Sequence, residues 1–261
     1  MPGVPFEMEN AMCDEIIPRL QERFQITEYL SRSCIVTGIS ESALATQLAE
    51  YELELPKGFS LAYLPSLGYI RLRLSVWGEE HKVELKLQAR KLKKLLGLNI
   101  VSKGAKMPEE ILGGKLRKKN LTLSTAESCT GGFISHKITT VPGSSQYFEG
   151  SIISYDSLIK EELLDVDRDL IETYGVVSGE VVEQMARTVA KKLHTDCSIA
   201  VSGIMGPDGG TKENPVGTVW IATQYNDKII SNKYNVGRSR RENVERTANT
   251  AMLQLLQMLK S

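Results

Sequence analysis

The sequence predicts an α/β protein: a three-layer α/β/α sandwich over residues 105–261, preceded by a smaller mixed unit over residues 25–100. Three observations carry this. From residue 109 onward, segments with apolar residues at helical spacing alternate with short apolar runs of strand length, the order that builds a sheet covered on both faces. Residues 69–76, Tyr-Ile-Arg-Leu-Arg-Leu-Ser-Val, alternate with period two, as in a half-exposed strand. Residues 98–106, with Gly97 and Gly104, change pattern, which marks a boundary between the units.

Taken in order, Pro2-Gly3-Val4-Pro5 reads as a turn or extended segment, and residues 7–24 as a helix broken near Pro18. Residues 1–24 are then a linker, or the remnant of an N-terminal domain. Residues 26–37 form a strand. Ser40 caps a helix with Leu44, Leu48 and Tyr51 on one face. Two strands follow, 60–64 and 69–76, around the turn at residues 65–68. Residues 79–96 are an amphipathic helix with Leu85, Ala89, Leu92 and Leu96 inward and Lys82, Lys86, Arg90, Lys93 and Lys94 outward. In the larger unit, helices are expected at 109–119, 133–140, 160–164, 167–174, 178–193 and 242–259. Strands are expected at 121–126, 150–155, 197–202, 218–224 and 229–236.

Composition excludes several classes. With 41% hydrophobic and 25% charged residues the chain can bury a sizeable core. Lys plus Arg and Asp plus Glu both number 32, so there is no overall basic excess for gripping nucleic acid. The basic helix face is read as solvated surface, with a nucleic-acid site as its rival; no aromatic platform accompanies it. The cysteines, Cys13, Cys34, Cys129 and Cys197, show neither metal-ligand pairing nor a disulfide framework, which points to a reducing, cytoplasmic setting. No apolar run approaches the ~20 residues that span a bilayer, and no signal peptide is visible.

The chemistry concentrates in residues 125–132, Thr-Ala-Glu-Ser-Cys-Thr-Gly-Gly, on a strand-to-helix turn. Gly131 and Gly132 let backbone approach a ligand, and the N–H groups opening the helix point into the same space. Such a turn binds an anion or sets Ser128 beside oxyanion donors; an ordinary capped turn is the plainer reading. A second glycine-rich segment, residues 202–210, with Ser202, Gly203 and Gly206, follows another apolar strand. Ligands of open α/β sheets bind beyond the carboxyl ends of strands, so the two turns can face one pocket.

Between them lie Ser144, Ser145, Tyr155 and Lys160. A lysine acting as the base of a serine hydrolase must be neutral. Its pKa must fall from ~10.4 toward ~7–8, a change worth about 4 kcal/mol. Burial and the positive field of helix N-termini both act in that direction. The histidines, His81, His136 and His194, fall in separate elements away from these turns. A Ser-His-Asp triad and a histidine metal site are therefore not indicated.

These segments, with residues 141–145, 175–178 and 215–220, closely resemble the CinA family across residues 105–261. Residues 61–66 and 70–74 resemble that family's small KH-like α+β middle domain. Residues 2–8 resemble the tail of its N-terminal molybdopterin-binding-like domain, so the chain reads as a fragment or short form of a longer protein. The resemblance implies a nicotinamide-nucleotide amidase that hydrolyses nicotinamide mononucleotide to nicotinate mononucleotide and ammonia. It implies no metal or organic cofactor, and it suggests a homodimer. Its active-site pattern falls on Ser128, Ser145, Tyr155, Lys160, Ser202 and either Arg240 or Arg241. The nucleophile is Ser145 or Ser128. Ser145 with Lys160 is preferred, leaving the Ser128 turn, with Glu127, Thr130, Gly131 and Gly132, to supply donors and contacts. The arginine and the Ser202–Gly203–Gly206 loop would take the 5′-phosphate. The chain departs from the family pattern at Asp156 and Ser157, where Ser-Asn is usual, and at Met205, which is expected to narrow the second loop. A non-catalytic, competence-associated or nucleotide-binding role is the alternative.

Overall fold

The computed structural model describes residues 5–24, 27–104 and 106–260. The Pro2-Gly3-Val4 turn and the strand onset at Ile26 lie outside them. Helices α1 (Pro5–Ala11) and α2 (Ile17–Arg23) flank a π-helical turn, Met12–Ile16, and bury no residue. The break expected at Pro18 falls one turn earlier. Pro18 sits in the first turn of α2, where its missing N–H costs nothing, and the irregularity is taken up by the residues before it.

The first unit comprises β1 (Tyr29–Val36), α3 (Glu41–Leu53), β2 (Ser60–Ser66), β3 (Tyr69–Trp77), α4 (Lys82–Leu96) and β4 (Ile100–Lys103). Its antiparallel sheet runs β2-β3-β1-β4. The alternation in β3 sends Ile70 and Leu72 against Leu44 and Leu48 of α3 and Leu92 and Leu96 of α4. Each such side chain contributes about 1.5–3 kcal/mol on burial. Tyr69 faces the other way and enters the core of the second unit with Ile35 and Val101.

The second unit runs α5 (Pro108–Lys119), β5 (Leu123–Glu127), α6 (Phe133–Thr139), β6 (Phe148–Ile153), α7 (Ser157–Leu164), α8 (Arg168–Tyr174), α9 (Gly179–Leu193), β7 (Cys197–Gly203), β8 (Thr218–Tyr225), β9 (Lys228–Asn235) and α10 (Arg240–Met258). The sheet order is β6-β5-β7-β8-β9. β6, β5 and β7 are parallel, while β8 and β9 add an antiparallel hairpin. Val181, Val182, Met185, Ala186 and Val189 of α9 cover one face. Leu112 and Leu116 of α5, Ile134 and Ile138 of α6, and Ala251, Met252, Leu255 and Leu256 of α10 cover the other. The result is a three-layer α/β/α arrangement with a mixed sheet. Among the described residues no helix is long and apolar enough to cross a membrane.

From β5 the chain crosses to β6 on one side and, by way of α7–α9, returns to β7 on the other. The carboxyl ends of all three parallel strands therefore meet around β5. This is the crevice in which open α/β sheets bind ligands.

Candidate active site

Ser128 directly follows β5, and its N–H donates to Val201 O of β7 at 3.1 Å. Lys160 lies in the first turns of α7, whose N-cap Asp156 accepts from Leu158 N–H at 2.9 Å. That cap directs the lysine back over the strand ends. Lys160 is almost completely buried, at 2% exposure. Its Nζ lies 3.0 Å from Ser128 Oγ, 2.6 Å from Ser154 O and 3.4 Å from Tyr155 O. Burial pushes the lysine pKa below its ordinary 10.5, against the smaller opposing fields of Cys129 and Asp156. A neutral amine has two N–H groups and one lone pair. In that form, with the two carbonyls accepting the N–H groups, the lone pair would be left for the Ser128 hydroxyl proton. No carboxylate pairs with Lys160 among the described residues. The arrangement is a serine–lysine pair set for proton transfer.

The cavity over this pair measures about 370 Å³ and is walled by Tyr155, Asp156, Val176, Val177, Ser202 and Gly203. Cys129 is also in the wall, its thiol pushed up to about 12 by burial and so protonated at neutral pH. The N–H groups of Cys129 and Thr130 donate to no other described residue. They follow the serine in the turn, and Cys129 lines the cavity while Thr130 does not.

Several expected site residues take other roles. Glu127 is fully buried and does not line the cavity. Its carboxylate accepts from Thr130 Oγ1 at 2.7 Å, Gly132 N–H at 3.1 Å, Ile134 N–H at 3.0 Å and Ser135 N–H at 2.8 Å, and also from Ser135 Oγ. The N–H groups opening α6 are thus satisfied inside the protein and do not face a ligand. Gly131 N–H is likewise committed to Ser128 O at 3.1 Å. Gly131 and Gly132 are there for the turn, with φ of 58° and 96°, the left-handed region that favours glycine.

Ser145 is exposed on the short turn Ser144–Gln146, which leads into the amino end of β6. Ser128 and Lys160 sit at the carboxyl ends of the parallel strands. Five-residue β5 separates the two edges by ~13 Å at about 3.3 Å per residue. Lys160 is brought to Ser128 and not to Ser145, which corrects the preferred pairing. Tyr155 offers Lys160 only its backbone carbonyl; its phenol oxygen accepts from Arg240 at 2.9 Å.

Arg240 opens α10 and also donates to Gly206 O at 2.9 Å, so it, rather than Arg241, is the arginine tied to the site wall, though both are exposed. Asn243 fixes this register, donating to Met205 O and Arg238 O at 3.0 Å each and accepting from Arg238 N–H at 2.8 Å. Sequence reading missed this asparagine. It carries no distinct sequence signal, because Thr247, Asn249 and Gln254 are also polar residues buried on the same helix. Ser202 donates to Val176 O at 2.7 Å and so holds the 175–177 wall. Met205 packs in the core and does not narrow the loop.

Residues 105–259 match the family described as CinA C-terminal domain. A CinA-like protein of Cytophaga hutchinsonii is 39% identical over 95% of this chain, and one of Flavobacterium psychrophilum is 41% identical over 97%. The matches cover 60% and 61% of those relatives, so the chain spans about three fifths of their length. Among solved structures, the competence/damage inducible protein CihA of Agrobacterium tumefaciens is 31% identical, with TM-score 0.56, covering 60% of this chain and 100% of that one. A CinA superfamily protein of Escherichia coli is 27% identical, with TM-score 0.57, covering 62% and 97%. The chain belongs to the CinA family.

Proposed function

We propose that this chain is an amidohydrolase that converts nicotinamide mononucleotide to nicotinate mononucleotide and ammonia, with Ser128 as nucleophile and Lys160 as general base. The observation that carries the reading is the buried, carbonyl-clamped Lys160 amine 3.0 Å from the Ser128 hydroxyl. Lys160 takes the serine proton as Oγ bonds to the carboxamide carbon. The Cys129 N–H group stabilises the resulting oxyanion. The lysine then returns its proton to the departing nitrogen, and the C–N bond breaks to release ammonia. Water, activated by the same amine, attacks the acyl-enzyme and frees the carboxylate product. Arg240, held by Gly206 O and the Tyr155 hydroxyl, supports binding of the 5′-phosphate at the mouth of the cavity.

The test is ammonia release from nicotinamide mononucleotide. Ser128→Ala and Lys160→Met are expected to lower kcat at least 10³-fold, in the range of losing a nucleophile or its base. Ser145→Ala is expected to remain within about threefold of the unaltered chain. Arg240→Gln is expected to raise KM more than it lowers kcat. Equal loss in Ser145→Ala and Ser128→Ala would sink the assignment, and no turnover by the unaltered chain would sink the activity.

A further inference from the structure

A second cavity, of about 520 Å³, lies where the first unit meets α10. Its walls include Gly38, Ser40 and Glu41 at the start of α3, Thr250 on α10, and two arginines, Arg238 and Arg246. Neither guanidinium forms an ion pair or a side-chain hydrogen bond with another described residue. Arg246 Nε is buried without any acceptor. Buried polar groups are nearly always satisfied, so this one calls for a partner. Burial and the neighbouring Arg238 charge both act against the Arg246 cation, and the nearby Glu242 only partly offsets them.

Glu242 acts on Arg246 at a distance but forms no ion pair with it. Its carboxylate accepts from Ser239 N–H at 3.2 Å and Ser239 Oγ at 2.7 Å, capping α10. Glu41 is the remaining acid in the wall, and it is exposed in the first turn of α3. That 13-residue helix opens here, with Ser40 Oγ accepting from Ala43 N–H at 3.3 Å. The N-terminal end of its dipole adds to the positive field. Two like charges held together beside a helix N-terminus, with the Glu242 carboxylate near both but forming no ion pair with either, suit a multivalent anion. Arginine pairs bind phosphate oxygens in a forked geometry.

We infer that the cleft between the first unit and α10 binds a small molecule carrying phosphate groups, gripped by Arg238 and Arg246 and independent of the Ser128–Lys160 cavity. Thr250 offers a hydroxyl within the same wall. Close approach of the two units there is built in: a Cβ on Gly68 would lie 3.0 Å from Thr250 Oγ1 and 3.3 Å from Arg246 O.

The test is isothermal titration with inorganic pyrophosphate and, separately, ADP at low ionic strength. Saturable binding at one site is expected, weakened at least tenfold by Arg246→Gln and by Arg238→Gln. It should be unchanged by Lys160→Met and Arg240→Gln. Arg238 is exposed on a turn, so its variant keeps the test valid if Arg246→Gln fails to fold. Tighter ADP than pyrophosphate assigns a nucleotide, and equal affinities assign the phosphates alone; both support the site. The inference is overturned if neither probe saturates the unaltered chain. It is equally overturned if both survive Arg238→Gln undiminished, or if Arg240→Gln alone abolishes binding. Because the readout is binding and the two arginine sets are separate, loss of this inference leaves the amidase reading untouched.

Discussion

Lys160 carries its chemistry as a conflict between burial and charge. An amine that is a cation in water is enclosed with no carboxylate paired to it among the described residues, and its pKa in the folded chain drops below 10.5. Between the lowered folded value and the unfolded value the unfolded chain binds the extra proton, so stability rises with pH across that window. Below the folded pKa the penalty is at its full size. Lys160→Met removes this dependence. The melting temperature of the variant relative to the unaltered chain is therefore expected to be most favourable near neutral pH and to decline as pH approaches 10. A difference that stays flat from pH 7 to 10 would show that burial does not shift the lysine. The same group predicts an acid limb in the rate of ammonia release, with activity rising with pH as the amine loses its proton. Glu127, one residue before Ser128, works differently. It is a buried acceptor for six donors drawn from Thr125, Thr130, Gly132, Ile134 and Ser135. Glu127→Gln turns one acceptor into a donor facing N–H groups. It is expected to cost about 3 kcal/mol in urea denaturation, in the range for breaking charge-assisted bonds. A loss under about 1 kcal/mol would mean the capping network is dispensable.

At the scale of elements, the site depends on how closely neighbouring strands approach. Gly203 ends β7 opposite Val219 of β8. A Cβ there would lie 2.7 Å from Thr218 O and 3.0 Å from Val219 Cα, both backbone atoms that cannot swing away. Gly203→Ala is expected to lower stability by about 1–3 kcal/mol through overpacking. Because Gly203 lines the cavity, it should also raise KM for the nucleotide, measured in the same ammonia assay; unchanged stability and KM would refute the close-packing argument. Much of the element order was legible in the sequence, since the period-two run in β3 and the apolar face of α9 each point to a single packing arrangement. The Ser128 and Lys160 positions were legible too, because both lie beside strand ends. Which serine the lysine meets was not, because separation along the chain does not say which edge of a sheet a residue occupies. Ser145 precedes β6 while Lys160 follows it, and only the parallel pairing of β6 with β5 turns that order into opposite edges. The role of Glu127 was hidden for a related reason. A carboxylate in a glycine-rich turn reads as a ligand contact until the direction of its side chain is known.

At the scale of the whole molecule, the two sheets do not have wholly separate cores. Ile35, Tyr69 and Val101 of the first unit pack in one cluster with Leu112, Met252 and Leu256 of the second. The seam is sewn by Asn249 Nδ2 donating to Leu67 O at 2.8 Å and Gln257 Nε2 donating to Thr37 Oγ1 at 3.0 Å, and Lys260 Nζ also donates to Ile100 O. A boundary read from glycines and a change of pattern gives no hint of this, because a shared core is a property of tertiary contacts and not of local composition. Removing either unit would uncover apolar surface on the other, so the two should unfold as one cooperative system. The sequence contains two tryptophans, Trp77 at the end of β3 and Trp220 within β8, one in each sheet. In Trp220→Phe the fluorescence reports the first unit, and in Trp77→Phe the second. In each variant the fluorescence and the far-ultraviolet ellipticity are expected to trace the same urea transition. Tyr69→Ala, placed in either background, should then move both signals together by about 3 kcal/mol, the usual cost of deleting a buried ring. If it shifted the Trp77 transition and left Trp220 in place, the seam would be a contact between independent domains rather than part of a common core.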